Sequence, residues 1–159
     1  MKKEIEQKLF EKYPTIFAGR SKSLLESLMS FGLECGDGWH ELIDELCGQI
    51  VNHEENQARH LEWKIKKGEA TEEDKLHPVE AVQVKEKFGG LRFYVSGGDE
   101  YVRGLIDMAE GMSYKICEQC GQKGKPNRGG WITTLCDPCR VDYDKRIGYS
   151  SFTFDKDET

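Results

Sequence analysis

The sequence contains no apolar run long enough to cross a membrane: its 159 residues are 37% hydrophobic and 33% charged. A membrane-spanning helix needs about 20 mostly apolar residues, so a spanning protein is excluded. The first ten residues, MKKEIEQKLF, also lack the apolar stretch of a secretory signal. Six cysteines without such a signal predict thiols in a reducing cytoplasm.

Positive charge is in short supply, with 23 Lys and Arg against 29 Asp and Glu and a formal charge of −6. Non-specific nucleic-acid binding depends on the neutralisation of phosphates by cations. A DNA-binding role for the whole surface is therefore disfavoured. A local basic patch stays open, and so does docking on a basic protein partner.

Catalytic motifs are also missing. The chain has no G-x-S-x-G, no phosphate-binding loop, no Rossmann glycine pattern and no H-E-x-x-H. Its four histidines are His40, His53, His60 and His77, and only His53 and His60 share a helix face. No nucleophile is paired with a base, so we expect a non-enzymatic protein. An enzyme built on Glu86 and the histidines is kept as an alternative.

The strongest motif is the C-x2-C-x15-C-x2-C pattern formed by Cys117, Cys120, Cys136 and Cys139. Two C-x2-C turns supply four thiolates, which is the tetrahedral ligand set of a structural zinc site. A disulfide framework and an iron–sulfur cluster are the competing interpretations. Four cysteines leave no open position on the ion, so zinc is expected to hold the fold together and to take no part in chemistry.

The order of elements around the cysteines predicts a treble-clef-like zinc module. A knuckle comes first, WITTL then indicates a short strand, and the second cysteine pair opens a helix with Pro138 in its first turn. No histidine lies within the cluster, so the nuclease version of this motif is not supported. The loop between the pairs carries Lys123, Lys125 and Arg128, which either grip phosphate or balance the charge of the thiolates.

Apolar periodicity predicts an α+β fold for the rest of the chain. Spacings of three and four residues indicate N-terminal helices over 4–13, 23–31 and 39–65 and another helix after Asp99. The helix over 23–31 would begin with a capping box formed by Ser23 and Glu26. We expect these helices to pack with a β-hairpin in a core domain over 1–113, followed by the zinc module over 114–150 and a flexible acidic tail over 151–159.

The hairpin is predicted around Gly89-Gly90, in VQVKEKFGGLRFYV. Alternation then places Val82, Val84, Glu86, Phe88, Leu91, Phe93 and Val95 on an apolar face. The opposite face carries Gln83, Lys85, Lys87, Arg92 and Tyr94, and its cations and aromatic ring suit either binding of phosphate and bases or simple solvation. Glu86 is the exception on the apolar face, and Arg103 on the next helix is its candidate ion-pair partner.

Three segments together resemble a family of small proteins encoded in phage and prophage genomes: ECGDGW, the KEKFGGLRFY-type hairpin, and CEQCG…GGWITTLCDPC. The likeness runs from about Glu34 to Cys139, and the hairpin is its most specific part. The resemblance implies a phage or bacterial setting and names no activity. Small phage accessory proteins often bind host machinery, including defence systems.

Two functions follow from these observations as expectations. The first is a zinc-stabilised binding protein that docks on a host or phage protein, with inhibition of a host defence system as one such role. The alternative is a nucleic-acid-binding protein that uses the hairpin face (Lys85, Lys87, Arg92 and Tyr94) together with the zinc loop (Lys123, Lys125 and Arg128). Neither function involves a membrane or a small-molecule substrate.

Overall fold

The computed structural model describes residues 1–23, 25, 27–74, 76–127 and 130–148. Within this part of the chain the fold is α+β, with four α-helices and two small β-sheets. The helices are α1 (Lys3–Lys12), α2 (His40–Lys66), α3 (Glu100–Ser113) and α4 (Asp137–Arg146). The strands are β1 (Leu33–Glu34), β2 (Glu80–Lys87), β3 (Gly90–Ser96), β4 (Lys125–Pro126) and β5 (Thr134–Leu135).

The larger sheet has the order β1-β2-β3, with β1 parallel to β2 and β2 antiparallel to β3. Its inner face contributes Ala81, Val84, Leu91 and Phe93 to the hydrophobic core. Helices α1, α2 and α3 supply most of the opposite wall, and the loops add the fully buried rings of Phe17 and Trp39. The predicted packing of N-terminal helices with a hairpin and the following helix is therefore confirmed.

Helix α2 is divided into a buried half and an exposed half. Its buried residues are Leu42, Ile43, Leu46, Cys47 and Ile50, all in its first eleven positions. Beyond Ile50 the helix is mostly charged and polar and none of its residues is buried, and Trp63 is exposed beneath the ammonium of Lys67. In the sequence, the apolar stripe of this helix thins after Val51, which predicts a partly solvated second half. No helix among the described residues is both long enough and apolar enough to cross a membrane.

The predicted helix over 23–31 is wrong in its described part. A short 3₁₀ turn, Leu28–Phe31, is present instead, and the hydroxyl of Ser27 accepts a hydrogen bond from the Met29 amide at 3.2 Å. Only Met29 of this turn reaches the core. Glu26, the other half of the predicted capping box, lies outside the described residues.

The hairpin turn lies one residue earlier than predicted. Lys87 pairs with Gly90, so the two turn residues are Phe88 and Gly89, both with positive φ as in a type I′ turn. This change moves the partner of each β2 residue by two positions along β3. Side chains two residues apart lie on the same face of a strand, so the two faces of the central strands are those predicted. A bulge between Ala81 and Gln83 reverses this alternation, so Ala81 is buried in place of Val82.

Candidate metal centre and its docking surface

The four cysteines of the C-x2-C pairs come together as their spacing predicted. Their sulfur atoms all lie within 4.8 Å of one another, and those of Cys120 and Cys136 are 3.5 Å apart. Sulfurs bound to zinc at about 2.3 Å would be separated by about 3.8 Å in a tetrahedron. A disulfide would hold two sulfurs at about 2.05 Å. The cluster therefore fits a four-coordinate metal ion, and the six cysteines are all free thiols.

The first knuckle is closed by backbone hydrogen bonds around Cys117. Its carbonyl oxygen accepts from the Gly121 amide at 2.9 Å, and its own amide donates to the Gln122 carbonyl at 2.7 Å. Burial disfavours the Cys117 thiolate, but amide hydrogen bonds from Cys136, Cys120 and Gln119 outweigh it and hold the pKa at about 7. At Cys117 the peptide backbone thus favours the thiolate, the form in which cysteine binds a metal ion.

The second cysteine pair opens α4, as predicted. Cys136 is the N-cap residue, and Cys139 follows in the first turn together with Pro138. The guanidinium of Arg140 donates to the carbonyl oxygen and to the hydroxyl of Thr133, both at 2.7 Å. This bidentate contact ties the start of α4 to the residues entering β5, which pairs with β4 in the second sheet.

The first knuckle docks on the ECGDGW segment through hydrogen bonds of its backbone and of the Glu118 carboxylate. The Gly38 amide donates to the Glu118 carbonyl at 2.7 Å, and the Gly36 amide donates to the Glu118 carboxylate at 2.9 Å. The indole of Trp39 donates to the Ile116 carbonyl at 2.9 Å. Burial raises the pKa of Glu118. In the fold, the ECGDGW segment is therefore the surface that receives the first knuckle.

The hairpin turn docks on the other side of the module. The Thr134 hydroxyl donates to the Gly89 carbonyl at 2.6 Å, and Thr134 is fully buried. A Cβ at Gly89 would lie 2.9 Å from a methyl carbon of Ile132. The four-cysteine segment therefore contacts two separate parts of the 1–113 region. The boundary predicted at 113/114 stays a prediction.

Glu86 has a partner other than the predicted Arg103. Its carboxylate accepts a hydrogen bond from the Gly89 amide at 2.6 Å, whereas Arg103 pairs with Glu100 at 2.5 Å. The carboxylate thereby satisfies a backbone donor of the hairpin turn. The prediction of an Arg103–Glu86 ion pair is wrong, because Arg103 lies within reach of an exposed acid on its own helix.

Phe88 combines a strained backbone with an exposed ring. Its φ is +54°, and it alone among the described non-glycine residues has a positive φ. Its side chain is 65% exposed and therefore gains little from burial. Left-handed backbone costs an L-residue about 1–2 kcal/mol. Such strain at an exposed aromatic residue is typical of a binding site.

We expect Phe88→Asn to raise the free energy of unfolding by about 1 kcal/mol, because Asn-Gly is the preferred pair in a type I′ turn. Urea denaturation would measure the gain. Phe31→Asn is the matched control: Phe31 is 59% exposed but has no positive φ, so it should show no such gain. Equal midpoints for wild type and Phe88→Asn would contradict the assigned turn.

The predicted basic face is partly occupied by contacts within the chain. The Arg92 guanidinium donates to the Tyr114 hydroxyl at 2.9 Å and lies 3.6 Å from the Glu110 carboxylate. The ammonium of Lys85 is 5.8 Å from the Tyr94 ring centre, and that of Lys87 is 5.4 Å from the Phe88 ring centre. On this face Lys87 and Tyr94 are exposed, and Phe88 is exposed in the adjoining turn.

Among the predicted cations of the zinc loop, Lys125 forms an ion pair. Lys125 pairs with Asp137 of α4 at 2.9 Å, and both side chains are exposed. Lys123 is exposed, and Arg128 lies outside the described residues. The ion pair of Lys125 supports the interpretation that this loop balances local negative charge. Binding of phosphate or of a partner by the loop stays a prediction.

The histidines form no metal site within the described residues, where the four cysteines are the one cluster of suitable donors. His53 lies 2.8 Å from the carboxylate of Asp99, stacks on the ring of Tyr101, and is 2.9 Å from the Gln57 amide. His60 instead stacks on Trp63. His53 and His60 share a face of α2, but they make separate contacts with different residues.

Asp99 links this histidine contact to the start of α3. Its carboxylate accepts from the Val102 amide at 3.1 Å and from Gln57 at 2.6 Å. The hydrogen bond with His53, followed by the one from Val102, holds the pKa of Asp99 down at about 2. Because this value lies below the unfolded value of about 3.9, the stabilisation is complete above about pH 4 and is lost as the pH falls towards 2.

We expect Asp99→Ala to lower the free energy of unfolding by about 1–2 kcal/mol at neutral pH, through loss of the helix cap. Asp99→Asn keeps a capping oxygen and should cost less. The difference in stability between wild type and Asp99→Asn should shrink as the pH is lowered from about 4 to 2. Urea titrations of both proteins between about pH 2 and 4 would measure this difference. Both proteins have the same four cysteines, so release of a metal in acid should affect them equally and cancel in the comparison. A constant difference would contradict the assigned role.

Comparisons with known proteins identify no relative. No family model matches the chain, and no curated protein or solved structure matches it either. The resemblance to a phage and prophage family stays a prediction. Function is therefore argued from the geometry of the cysteine cluster and the surfaces around it.

Proposed function

We propose that this chain is a non-enzymatic, zinc-stabilised binding protein of phage or prophage type, working in the cytoplasm of a bacterial host. It docks on a host or phage protein, and components of host defence systems are one class of candidate partner. The observation that carries the proposal is the cluster of four cysteine sulfurs within 4.8 Å, joined by backbone contacts to the rest of the fold. A metal ion at this cluster would hold the four-cysteine segment in one conformation, so that its surface is available to a partner.

The order of elements supports a treble-clef-like module. A knuckle at Cys117 and Cys120 is followed by the short β4–β5 hairpin, and α4 begins at the second cysteine pair. Four sulfur donors and no oxygen or nitrogen donor favour zinc among the divalent metals of the cytoplasm. Because four protein ligands complete the tetrahedron, the ion keeps no position for a substrate or a reactive water.

Protein binding is favoured by the charge balance and by the exposed apolar side chains. The chain carries a net charge of −6, which suits a basic protein surface better than a phosphate backbone. Two exposed large apolar residues, Met108 and Met112, line the same groove between α2 and α3. Large apolar side chains in a cluster at the surface commonly mark an interaction site.

The test is capture of a partner from a bacterial lysate by the zinc-loaded, affinity-tagged protein. We expect one protein to co-purify at a fixed molar ratio, to remain bound after nuclease digestion, and to be lost when a chelator removes the metal. Native mass spectrometry would give the ratio of the two chains. If no protein is recovered in stoichiometric amount, the proposed function is wrong.

Nucleic-acid binding is the second candidate, favoured by the strained and exposed Phe88. Lys87 lies beside its ring, and a Cβ at Gly89 would lie 2.9 Å from Ile132, whose neighbour Trp131 is 73% exposed. Aromatic rings among cations are the usual surface for single-stranded nucleic acid. Arg92 contributes less than predicted, because Tyr114 and Glu110 already engage it.

Fluorescence anisotropy with labelled single- and double-stranded oligonucleotides tests this candidate. Binding should weaken steeply with salt, and Lys85→Gln/Lys87→Gln should reduce it about tenfold. Lys3→Gln/Lys8→Gln, which removes the same charge from exposed positions of α1, is the matched control. Absence of binding at low salt would reject a nucleic-acid function.

A further inference from the structure

An apolar groove of about 430 Å³ runs between α2 and α3. Its floor is formed by Leu42 and Leu46 of α2, by Leu105 and Ala109 of α3, and by Ile116 beyond α3. Leu42, Leu46 and Ala109 are buried, and Leu105 and Ile116 pack partly exposed against the core. The floor is therefore part of the same core that supports the sheet.

Two methionines form the α3 side of the groove. Met108 is 57% exposed and Met112 is 44% exposed, and they lie four residues apart on one helix face. Methionine side chains are flexible and polarisable, so they adapt to the shape of an apolar ligand and are common at peptide-binding surfaces. Leaving two such side chains in water gives the free protein no stability, whereas covering them on binding would be favourable.

The α2 side of the groove is acidic. Glu41 and Glu45 line it, together with Gln49, and no lysine or arginine is among the described residues of the lining. The Gln49 amide donates to the Glu45 carboxylate at 2.7 Å, while the Glu41 side chain is 90% exposed. A ligand in the groove would therefore meet methionine on one side and negative charge on the other.

We propose that this groove binds an amphipathic helix of the partner protein, with its apolar face on the methionines and its basic residues against Glu41 and Glu45. Two helices that pack side by side leave a groove suited to a third helix, at an interaxial distance of about 8–10 Å. From Leu105 to Met112 the groove follows α3 for about 10 Å, which accommodates anchors at positions i, i+4 and i+7 of a bound helix. The proposal rests on the protein-binding function above and specifies its partner.

Charge decides between the possible occupants of the groove. An acidic helix would place like charges against Glu41 and Glu45, which disfavours binding. A second copy of this acidic chain would carry the same penalty, since each copy has a net charge of −6. A basic amphipathic helix satisfies the apolar floor and the acidic rim together.

The probe is a synthetic helical peptide of about 18 residues, with leucines at helical spacing and lysines on the opposite face. A scrambled peptide of the same composition and an acidic peptide with glutamate for lysine are its controls. Fluorescence anisotropy with the full-length, zinc-loaded protein should show binding of the basic peptide, with weaker binding of the scrambled and acidic peptides.

Variants then locate the binding site. Met108→Lys and Met112→Lys should each weaken the basic peptide about tenfold, while Phe31→Lys, at an equally exposed apolar position elsewhere, should have no effect. Glu41→Lys/Glu45→Lys should weaken the basic peptide and admit the acidic one. Glu72→Lys/Glu73→Lys makes the same change in net charge on an exposed segment and should leave both affinities unchanged. Circular dichroism and zinc content would confirm that each variant is folded.

Four outcomes would overturn the proposal. The basic peptide could bind no better than its scrambled form, or the methionine variants could bind it as wild type does. Light scattering could instead show a dimer that Met108→Lys dissociates, which would assign the groove to a second copy. A partner captured from lysate equally by wild type and Met108→Lys would overturn the groove alone and leave the proposed function intact.

Discussion

Replacing Cys117 by serine should abolish metal binding and unfold the segment around the cluster, the largest effect that we expect from one substitution. Three thiolates and a hydroxyl do not complete a zinc site, and zinc binding contributes about 10–16 kcal/mol to the folding of isolated zinc-finger peptides. We expect the bound metal to fall from one ion per chain to near zero in elemental analysis. Thermal unfolding should shift by the equivalent of about 3 kcal/mol or more.

Hydrogen exchange would show how far this unfolding spreads. Because the Gly36 and Gly38 amides donate to Glu118 of the first knuckle, their protection should fall with that of the knuckle itself. Protection in the core of α2, around Ile43, should be retained. Unfolding of the whole chain would instead show that the core depends on the metal for its own stability.

Cys35 and Cys47 provide the matched controls for this experiment. Both thiols are buried, and burial raises the pKa of Cys35 to about 12 and raises that of Cys47 as well. Cys35→Ala and Cys47→Ala should keep one metal ion per chain and lose only the stability expected from small core cavities. A full complement of metal in Cys117→Ser would contradict the four-cysteine site.

The sequence predicted the local features of this molecule well because each depends on a few neighbouring residues. The C-x2-C spacing brings two sulfurs together whatever surrounds it, and two such pairs predicted the cluster. Asp99 was predicted as the cap of a helix from its position before an apolar periodic segment, and its carboxylate accepts from the Val102 amide. The division of α2 was visible where its apolar stripe thins after Val51.

The position of the hairpin turn could not be predicted, because distant residues determine it. Gly89-Gly90 is a strong turn signal, yet Gly90 lies in β3. A Cβ at Gly90 would come into contact with the ring of Tyr114, so this glycine is required for packing and Phe88 is left in the turn. Thr134 then holds the Gly89 carbonyl from the other side. These contacts join residues at least 24 positions apart, and no local pattern contains them.

Glu86 shows the same limit for a single side chain. Alternation placed its carboxylate on the apolar face and suggested a distant cation as its partner. Its actual partner is an amide only three residues away, which became available because the turn begins at Phe88. The predicted faces of the strands were right. The predicted partner of Glu86 was wrong, because the Gly89 amide is within its reach only when the turn is formed by Phe88 and Gly89.

Gly38→Ala should be nearly as damaging as loss of a cysteine ligand, although Gly38 binds no metal. A Cβ there would overlap the Cys117 carbonyl and the Gly121 amide nitrogen, and would lie 2.8 Å from the Cys120 amide nitrogen. All three atoms belong to the backbone of the first knuckle, which the ion holds in place. Backbone atoms cannot move aside as a flexible side chain can, so we expect a loss of about 3 kcal/mol or more in the free energy of unfolding.

Gly38→Ala should lose stability because the added methyl group pushes the knuckle away from the core. Cys117→Ser should lose stability for a different reason, because it removes a metal ligand. The cysteine ligands are intact in Gly38→Ala, so the variant should still bind one metal ion per chain while the Trp39 indole loses its hydrogen bond to Ile116. Gly104→Ala is the control: a Cβ at Gly104 has open space within 4 Å, and alanine should stabilise α3 by up to about 1 kcal/mol. Wild-type stability in Gly38→Ala, measured by urea denaturation with metal content in parallel, would show that the knuckle does not dock on this glycine.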